Sequence, residues 1–498
     1  MAISFIFSLF SPFLKANTIF DSDEIRPRFE TMECMITPRY TTEVESYIKK
    51  YLAYDGAQAK RVMSRAAVYF PIYEKFLTDH GLPQDLKYLS IVESALIPHA
   101  TSPAGAKGLW QFMSQTGRNY CLSIDKEVDE RSCPYNSTEA AMQYLAKQYQ
   151  RFGSWELAIA SYNCGPGTID KAMRRGRSDN YWTISRYLPR ETRNFVPAFL
   201  GAVYVGNFYH LHDIEPEYPS LDMQVTEAIK VFEKLDFTTI AALTGLPVEV
   251  ISELNPAYKK DYVPENTEGY DVILPRRVSM AMSEYLEARR PDSQRKIELP
   301  PLPAIVDTAN YSPDEQYFRS VYVVAEGDKI EEVAEVFNIA PYNLKVWNKL
   351  TSYQLKKGQE LAIWFPKEFH HFLPKELRIE VEPLVGAAKI KMVKQVQEEV
   401  LERENVAVPS EMPIKLTLLK LRPSDQSTLQ VVVPNVEAQK LTIGEKVGKF
   451  MDPIKNVKIN LPKVKMPKVA LPKKEKTPKK APVMPTRKTD EPNGHGLI

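Results

Sequence analysis

A nearly all-apolar helical stretch broken by one carboxylate constrains this chain more than any other feature. It runs Leu82-Pro83-Gln84-Asp85-Leu86-Lys87-Tyr88-Leu89-Ser90-Ile91-Val92-Glu93-Ser94-Ala95-Leu96-Ile97-Pro98. Pro83 suits a first helical turn and Pro98 disfavours helix beyond Ile97, so the spacing predicts one helix between them. Leu86, Leu89, Glu93 and Leu96 share one face, and Tyr88, Ile91, Val92 and Ala95 are apolar on the others. A helix that is apolar nearly all round is buried inside a domain, and Glu93 is its only acid after the first turn. Burial disfavours the charged carboxyl, so Glu93 would hold its proton to higher pH and could donate it to a leaving group. A core glutamate satisfied by a lysine or arginine is an equally open reading at this point.

The chain has 498 residues, enough for roughly two to four domains with a sizeable core. Its net charge of +2 averages unlike regions, because lysines crowd the part beyond about residue 441 while acids there are few. Residues 1–16 read as a signal peptide: Met1 to Phe13 is apolar and uncharged, and Leu14-Lys15-Ala16 offers a cleavage site, although no basic segment precedes it. Export to the periplasm or cell envelope follows from that reading. No later stretch reads as a transmembrane span. The cysteines, Cys34, Cys121, Cys133 and Cys164, lack zinc-site spacing and have little histidine near them, so no metal and no cofactor is expected. Cys121 and Cys133 bracket a loop that a disulfide worth about 3 kcal/mol could close; buried free thiols are the alternative.

Residues 20–212 read as helical, with a core over 75–205 and no convincing alternating strand. Helices are expected over Tyr47–Tyr54, Arg61–Thr78, from Ser137 to Gly153, over Trp155–Tyr162 and over Pro197–His210. After a Pro-containing linker, residues 221–275 and 320–366 form two similar units: strand, helix, turn, a helix ending in Asn, and a strand ending in Pro. Residues 276–319 read as a linker and 367–404 as a helical extension with a helix over Gly386–Glu404. Residues 405–498 read as a Lys/Pro-rich disordered tail that cannot build a core.

Small residues follow the Glu93 stretch in Ser102-Pro103-Ala104-Gly105-Ala106-Lys107-Gly108-Leu109-Trp110-Gln111-Phe112-Met113. Together with Glu93-Ser94, Ser161-Tyr162-Asn163-Cys164-Gly165 and Leu188-Pro189-Arg190-Glu191-Thr192, this series resembles the signature blocks of family 1 lytic transglycosylases, in the family's order. Tyr322-Val323-Val324, Glu326-Gly327-Asp328, Trp347-Asn348 and Gly358-Gln359-Glu360-Leu361 resemble a LysM module. Residues 221–275 resemble a degenerate copy that lacks the Gly-Asp turn. The resemblance is to the type that joins a lysozyme-like domain to LysM repeats. It implies a multidomain chain: a mainly α lysozyme-like (SLT) catalytic domain, small α+β LysM (βααβ) modules, and the Lys/Pro-rich tail.

The same resemblance implies the chemistry. Glu93 would protonate the β-1,4 glycosidic oxygen between N-acetylmuramic acid and N-acetylglucosamine, then take a proton from the muramic acid 6-hydroxyl as that oxygen closes a 1,6-anhydro ring. No water-activating second carboxylate is needed, unlike in many glycosidases. Ser102 would hydrogen-bond the Glu93 carboxyl or the N-acetyl group, and Gln111 and Met113 would line glycan subsites. Tyr162 would orient Glu93, Asn163 would hold backbone or substrate, and Glu191 would be a supporting, structural acid. Gly327, Asp328 and Asn348 are glycan-binding candidates in the second module. The chain departs from the family at Ser161, where Ala is usual, and at Phe195, where Tyr is common. The implied partners are peptidoglycan glycan strands, with no nucleic acid and with peripheral envelope association through the basic tail. Two other readings stand beside this one. A hydrolytic muramidase would draw its second acid from Asp129 or Glu130, which read better as a salt-bridged turn with Arg131. An inactive peptidoglycan-binding anchor would not need Glu93.

Overall fold

The computed structural model describes residues 22–54, 56–289 and 311–366, together with a two-residue strand at 414–415. The signal peptide expected at 1–16, the helix expected over 386–404 and the rest of the Lys/Pro-rich segment lie outside the described residues.

The helical half holds α1 (Ser22–Glu30), α2 (Thr42–Leu52), α3 (Ala57–Asp79), α4 (Leu89–Ser94), α5 (Ser114–Asn119), α6 (Pro134–Phe152), α7 (Trp155–Cys164), α8 (Pro166–Gly176), α9 (Tyr181–Ile184) and α10 (Arg190–Phe208). Local chemistry sets several of these ends. Thr41 caps α2 by accepting from Val44 N, Ser154 caps α7 by accepting from Leu157 N, and Gly153 closes α6 in the left-handed region. α6 starts at Pro134 rather than Ser137, because proline fits its first turn. Pro166 opens α8 in the same way.

α10 is the apolar centre of this half, buried from Phe195 to Gly206 and packed against α2, α4 and α7. It begins at Arg190, seven residues before the expected start, and carries Pro197 inside it. Packing on three helices offsets the roughly 3 kcal/mol that an internal proline costs. Gly206 lets α10 approach the Glu93 stretch: a Cβ there would lie 2.1 Å from the Tyr88 ring.

The two small units follow. The first comprises α11 (Leu221–Gln224), β1 (Thr226–Val231), β2 (Leu235–Asp236), α12 (Phe237–Thr244), α13 (Val248–Leu254), β3 (Tyr262–Val263), β4 (Tyr270–Pro275) and α14 (Arg276–Arg289). β1 pairs antiparallel with β4, Thr226 opposite Pro275. α14 corrects the expectation that a linker starts at 276, since Val278, Met282 and Tyr285 are buried in the unit's own core. The second unit comprises β5 (Tyr317–Val323), α15 (Ile330–Val336), α16 (Pro341–Trp347) and β6 (Glu360–Pro366); β5 pairs antiparallel with β6 and parallel with β7 (Ile414–Lys415).

One asparagine closes each βααβ unit. Asn255 donates to Ile251 O and Ile273 O and accepts from Ile273 N. Asn348 donates to Leu344 O and Ala362 O and accepts from Ala362 N. Each amide thus ties the end of the second helix to the last strand, which explains the asparagine that recurs in the repeat.

Both units dock on the helical half. Tyr342 and Val346 of α16 enter the helical core, with the Tyr342 ring 5.0 Å from that of Phe70. Arg277 makes a buried bidentate pair with Asp222, which also accepts from the Tyr311 and Tyr317 hydroxyls. The pair lies within the first unit, and the Tyr317 hydroxyl on Asp222 fastens the second unit to it. Among the described residues no single helix is long and apolar enough to cross a membrane.

Candidate active site

Glu93 lies near the end of α4, and the predicted single helix proves to be two pieces. A 3₁₀ turn, Gln84–Tyr88, leads into α4, and Ala95 and Leu96 then take left-handed backbone, φ 52° and 60°. Each costs roughly 1 kcal/mol or more for a non-glycine residue. Arg65 holds the reversal by donating from Nη1 to Ala95 O at 2.8 Å. Leu86, Leu89, Glu93 and Leu96 are all buried, as the spacing requires.

Two serines tie α4 to the small-residue loop. Ser90 Oγ and Ser94 Oγ donate to one carbonyl, Leu109 O, at 2.9 and 2.8 Å. They lie three residues before and one after Glu93, so the segment carrying the acid is fixed from both sides. Neighbouring residues pin the loop further. Trp110 Nε1 donates to Thr138 Oγ1 at 2.9 Å, and Trp110 O accepts from the Tyr162 hydroxyl at 2.7 Å. Gly108, at φ 89°, sits so close to residue 131 that a Cβ would lie 1.7 Å from Arg131 O. Arg131 reaches back, donating from Nη1 to Gly105 O at 2.9 Å and to Phe112 O at 3.1 Å.

Glu93 is 3% exposed and its pKa is pushed up to about 8, first by burial and second by the charge of Glu191. A carboxyl in that condition is still largely protonated at neutral pH. Among the described residues no ion pair reaches it, which removes the reading of a core glutamate neutralised by lysine or arginine. The basic partner of the Glu93 stretch, Lys87, pairs instead with Glu74. Glu191 stands half-buried in the first turn of α10, and the Tyr162 hydroxyl is held far above its usual range by burial and by Glu93.

The other sequence candidates divide. Tyr162 sits beside Glu93, but its proton goes to Trp110 O, so its hydroxyl can only accept from Glu93. Ser102 Oγ accepts from Ala106 N at 3.0 Å and shapes the 102–106 turn; it makes no hydrogen bond to Glu93. Gln111 donates its amide to Ala100 O and Gly108 O, while its Oε1 is buried without a partner. Met113 caps α5, half-buried. Asn163 accepts from Thr192 Oγ1 at 2.7 Å through its Oδ1 and so joins α7 to α10. In the second unit Asp328 accepts from the Tyr322 hydroxyl and Ala325 N, Asn348 is used as above, and Gly327 makes a turn at φ 88°. The Asp328 and Asn348 side chains thus help build the unit.

Further details concern the competing readings. Asp129 is paired to Arg131 and Lys107, and despite burial its pKa is lowered by those cations. Glu130 accepts from Ser123 N and Asn136 Nδ2. Neither acid is free to activate water. Ser161 spends its hydroxyl on Ala158 O, and Phe195 is a buried core residue rather than a wall of the cleft. Cys121 and Cys133 are free thiols, one exposed and one buried. A cavity of about 540 Å³ between α3 and the two small units is lined by Glu74, Lys87, Gln224, Arg276 and Tyr353, among others, and by none of the site residues.

Sequence reading missed Arg131, Ser90 and the Leu109 carbonyl as parts of this site. Only Ser90 left a signal, as a polar residue one turn before Glu93 on an otherwise apolar helix.

Comparison with known families matches residues 71–185 to the transglycosylase SLT domain. The chain carries an SLT domain. Residues 225–289 match the LysM-like domain of the lytic transglycosylase MltD, and residues 322–364 match the LysM domain. The SLT domain encloses Glu93 and the whole small-residue loop, and the LysM-like match includes α14. The chain is 29% identical to the membrane-bound lytic murein transglycosylase D of Escherichia coli strain K12 over 289 residues, 57% of this chain and 60% of that protein. It is 30% identical to a putative tributyltin chloride resistance protein of Alteromonas sp. strain M-1 over 111 residues, 22% of this chain and 54% of that one. It is 26% identical to the soluble lytic murein transglycosylase of Escherichia coli strain K12 over 141 residues, 27% and 22% of the two chains. The chain thus spans 60% of the length of the curated transglycosylase D that it matches.

Proposed function

We propose that this chain is a peptidoglycan lytic transglycosylase that cleaves the β-1,4 bond between N-acetylmuramic acid and N-acetylglucosamine and leaves 1,6-anhydromuramic acid ends. The observation that carries the reading is Glu93, a buried carboxyl with its pKa near 8, set in an SLT domain. Protonated, it donates to the glycosidic oxygen. The carboxylate it becomes is then a strong base in a dry site and takes the muramic acid 6-hydroxyl proton as that oxygen attacks C1. One residue serves both steps because the first leaves it deprotonated.

Glu191 supports both steps. Its negative charge raises the Glu93 pKa and would also favour positive charge developing on a sugar bound at Glu93. Gln111 Oε1 offers the buried acceptor for the substrate, Met113 an apolar wall, and Tyr162 an acceptor hydroxyl beside the acid. Ser102 acts by shaping its turn, and Asn163 by holding α7 to α10. The LysM unit matched over residues 322–364 suits glycan strands, and the relatives' names place them on murein, so the cell envelope is the proposed location. The lysine-rich stretch beyond residue 441 suits electrostatic attachment to anionic envelope polymers.

Mass spectrometry of products released from purified sacculi tests the proposal. Anhydro ends from the wild type, and none from Glu93→Gln, are expected. Reducing ends would point to hydrolysis instead, and no release at all would point to a binding protein.

A further inference from the structure

The first βααβ unit lacks the Gly-Asp turn of the second, yet it is fully built, with its own core and an added helix. What it touches suggests why it is there. The segment 257–259, between α13 and β3, lies against the SLT loop 125–129. Asp129 N donates to Ala257 O at 2.9 Å, Lys259 N donates to Glu127 O at 3.0 Å, and Val128 and Tyr258 form an antiparallel bridge. Lys259 Nζ donates to Asp125 O and the Tyr262 hydroxyl to Glu127. Val128 and Cys133 of the SLT domain are buried in the unit's core, not in the helical one. The loop therefore folds as a part of the small unit.

From this loop the contacts run on to the acid. Asp129 takes Arg131 in a bidentate pair at 2.9 and 2.8 Å and also meets Lys107 at 3.3 Å. Held flat by that fork, the guanidinium donates to Gly105 O and Phe112 O, at both ends of the small-residue loop. The middle of the same loop presents Leu109 O to Ser90 and Ser94, which bracket Glu93. Each link is a hydrogen bond or buried ion pair between groups that have few alternative partners.

We infer that the first βααβ unit is a positioning element of the catalytic site: its 257–259 edge holds the loop that carries Arg131, and Arg131 holds the loop to which the Glu93 segment is tied. The inference goes beyond the proposed reaction and rests on it only for its kinetic arm. In this role the unit is not a glycan reader. Loosening its edge lets the 105–112 loop move, admits water to Glu93 and returns the carboxyl toward its ordinary range. The groups whose charge bears on Glu93 from packed elements are Glu191 of α10 and Tyr162 of α7, and both remain in the variants below.

The experiment follows Glu93 directly in the full chain. Carboxyl-labelled glutamate gives its titration by carbon-13 NMR, with Glu93→Gln identifying the signal. Lys259→Pro removes the backbone donor to Glu127 O; should that chain fail to fold, Lys259→Ala with Tyr262→Phe removes the side-chain links. Arg131→Gln breaks the chain further on. Each folded variant is expected to lower the Glu93 pKa by about one unit. On sacculi, kcat falls about tenfold while KM stays within about twofold, and co-sedimentation with sacculi is unchanged. A folded Lys259 variant with wild-type Glu93 titration overturns the inference. So does a loss of sacculus binding with kcat intact, which would make the unit a glycan reader. Lack of anhydro products from the wild type would refute the reaction but leave the titration result standing, so the two failures are distinguishable.

Discussion

Lys87 Nζ lies 2.6 Å from Glu74 Oε1, with both side chains only 3% exposed, six residues before Glu93. Glu74 is shared between domains: it also accepts from Tyr353 Oη and from Tyr342 N, each at 2.8 Å, both from the second βααβ unit. Removing one partner of such a pair strands a buried charge. Lys87→Met is therefore expected to destabilise the chain by about 3 kcal/mol, and Lys87→Met with Glu74→Gln by clearly less. Urea unfolding of the two variants checks this. Equal losses would mean that the pair itself, not the stranded charge, carries the stability.

Glu93 makes a prediction in which activity and stability move oppositely. Its pKa is about 8 in the fold, against an ordinary value of 4.5, so the folded state binds the proton more tightly. Stability from this group is whole below about pH 4.5 and is lost as pH rises toward 8, by up to about 1.4 kcal/mol per unit. Glu93→Gln carries no such charge. It is expected to match the wild type near pH 4 and to exceed it by a few kcal/mol, in order of magnitude, at pH 8. The variant is expected to be inactive throughout. Paired urea titrations at the two pH values decide the stability claim, and the wild-type rate should fall as pH rises through about 8.

Tyr162→Phe tests the role that the structure leaves to that hydroxyl. Its loss strands Trp110 O, costing about 1–3 kcal/mol, and loosens the loop at the residue after Leu109. We expect kcat to fall with KM little changed, because the ring surface stays. A rise in KM alone, measured on soluble glycan fragments, would make Tyr162 a sugar contact only.

Gly108→Ala is the sharpest test of loop packing. The added methyl would meet Arg131 O at 1.7 Å, at a backbone φ of 89° that L-residues avoid. Neither problem is relieved by a side-chain rotation, since the obstacle is backbone. A loss of more than about 3 kcal/mol is expected, read from thermal or urea melts. An unchanged melt would show that the 105–112 loop packs otherwise.

The buried character of the Glu93 stretch, the repeat and its closing asparagines were legible in the sequence because periodicity and turn chemistry are local. Where sequence reading failed, a distant contact overrode a local signal. Ala95 and Leu96 look helical, yet Arg65, thirty residues earlier, holds the chain in reverse there. Ser102, Tyr162 and Asn163 were found by motif, but their hydrogen bonds are settled by which backbone groups approach, and no motif records that. The docking of the small units was illegible for the same reason. Tyr342 and Tyr353 carry no local signal of the α3 and Glu74 contacts that dock them.

Lys345 carries the last test, because it is buried beside that same junction. Burial first, and then the charge of Lys87, push its pKa down to about 8 from 10.5, with Glu74 opposing. The folded state therefore disfavours its proton, and folding stability should rise as pH climbs from about 8 toward 10.5, the opposite slope to that of Glu93. Lys345→Met keeps the apolar stem and removes the charge. At pH 7 it is expected to stabilise the chain by roughly 1–3 kcal/mol, and the advantage should shrink by pH 10 as the wild-type lysine is also neutral. Urea melts of the two proteins at pH 7 and pH 10 provide the measurement. A variant less stable than the wild type at pH 7 would mean that the charged lysine holds the second unit in place through Glu74.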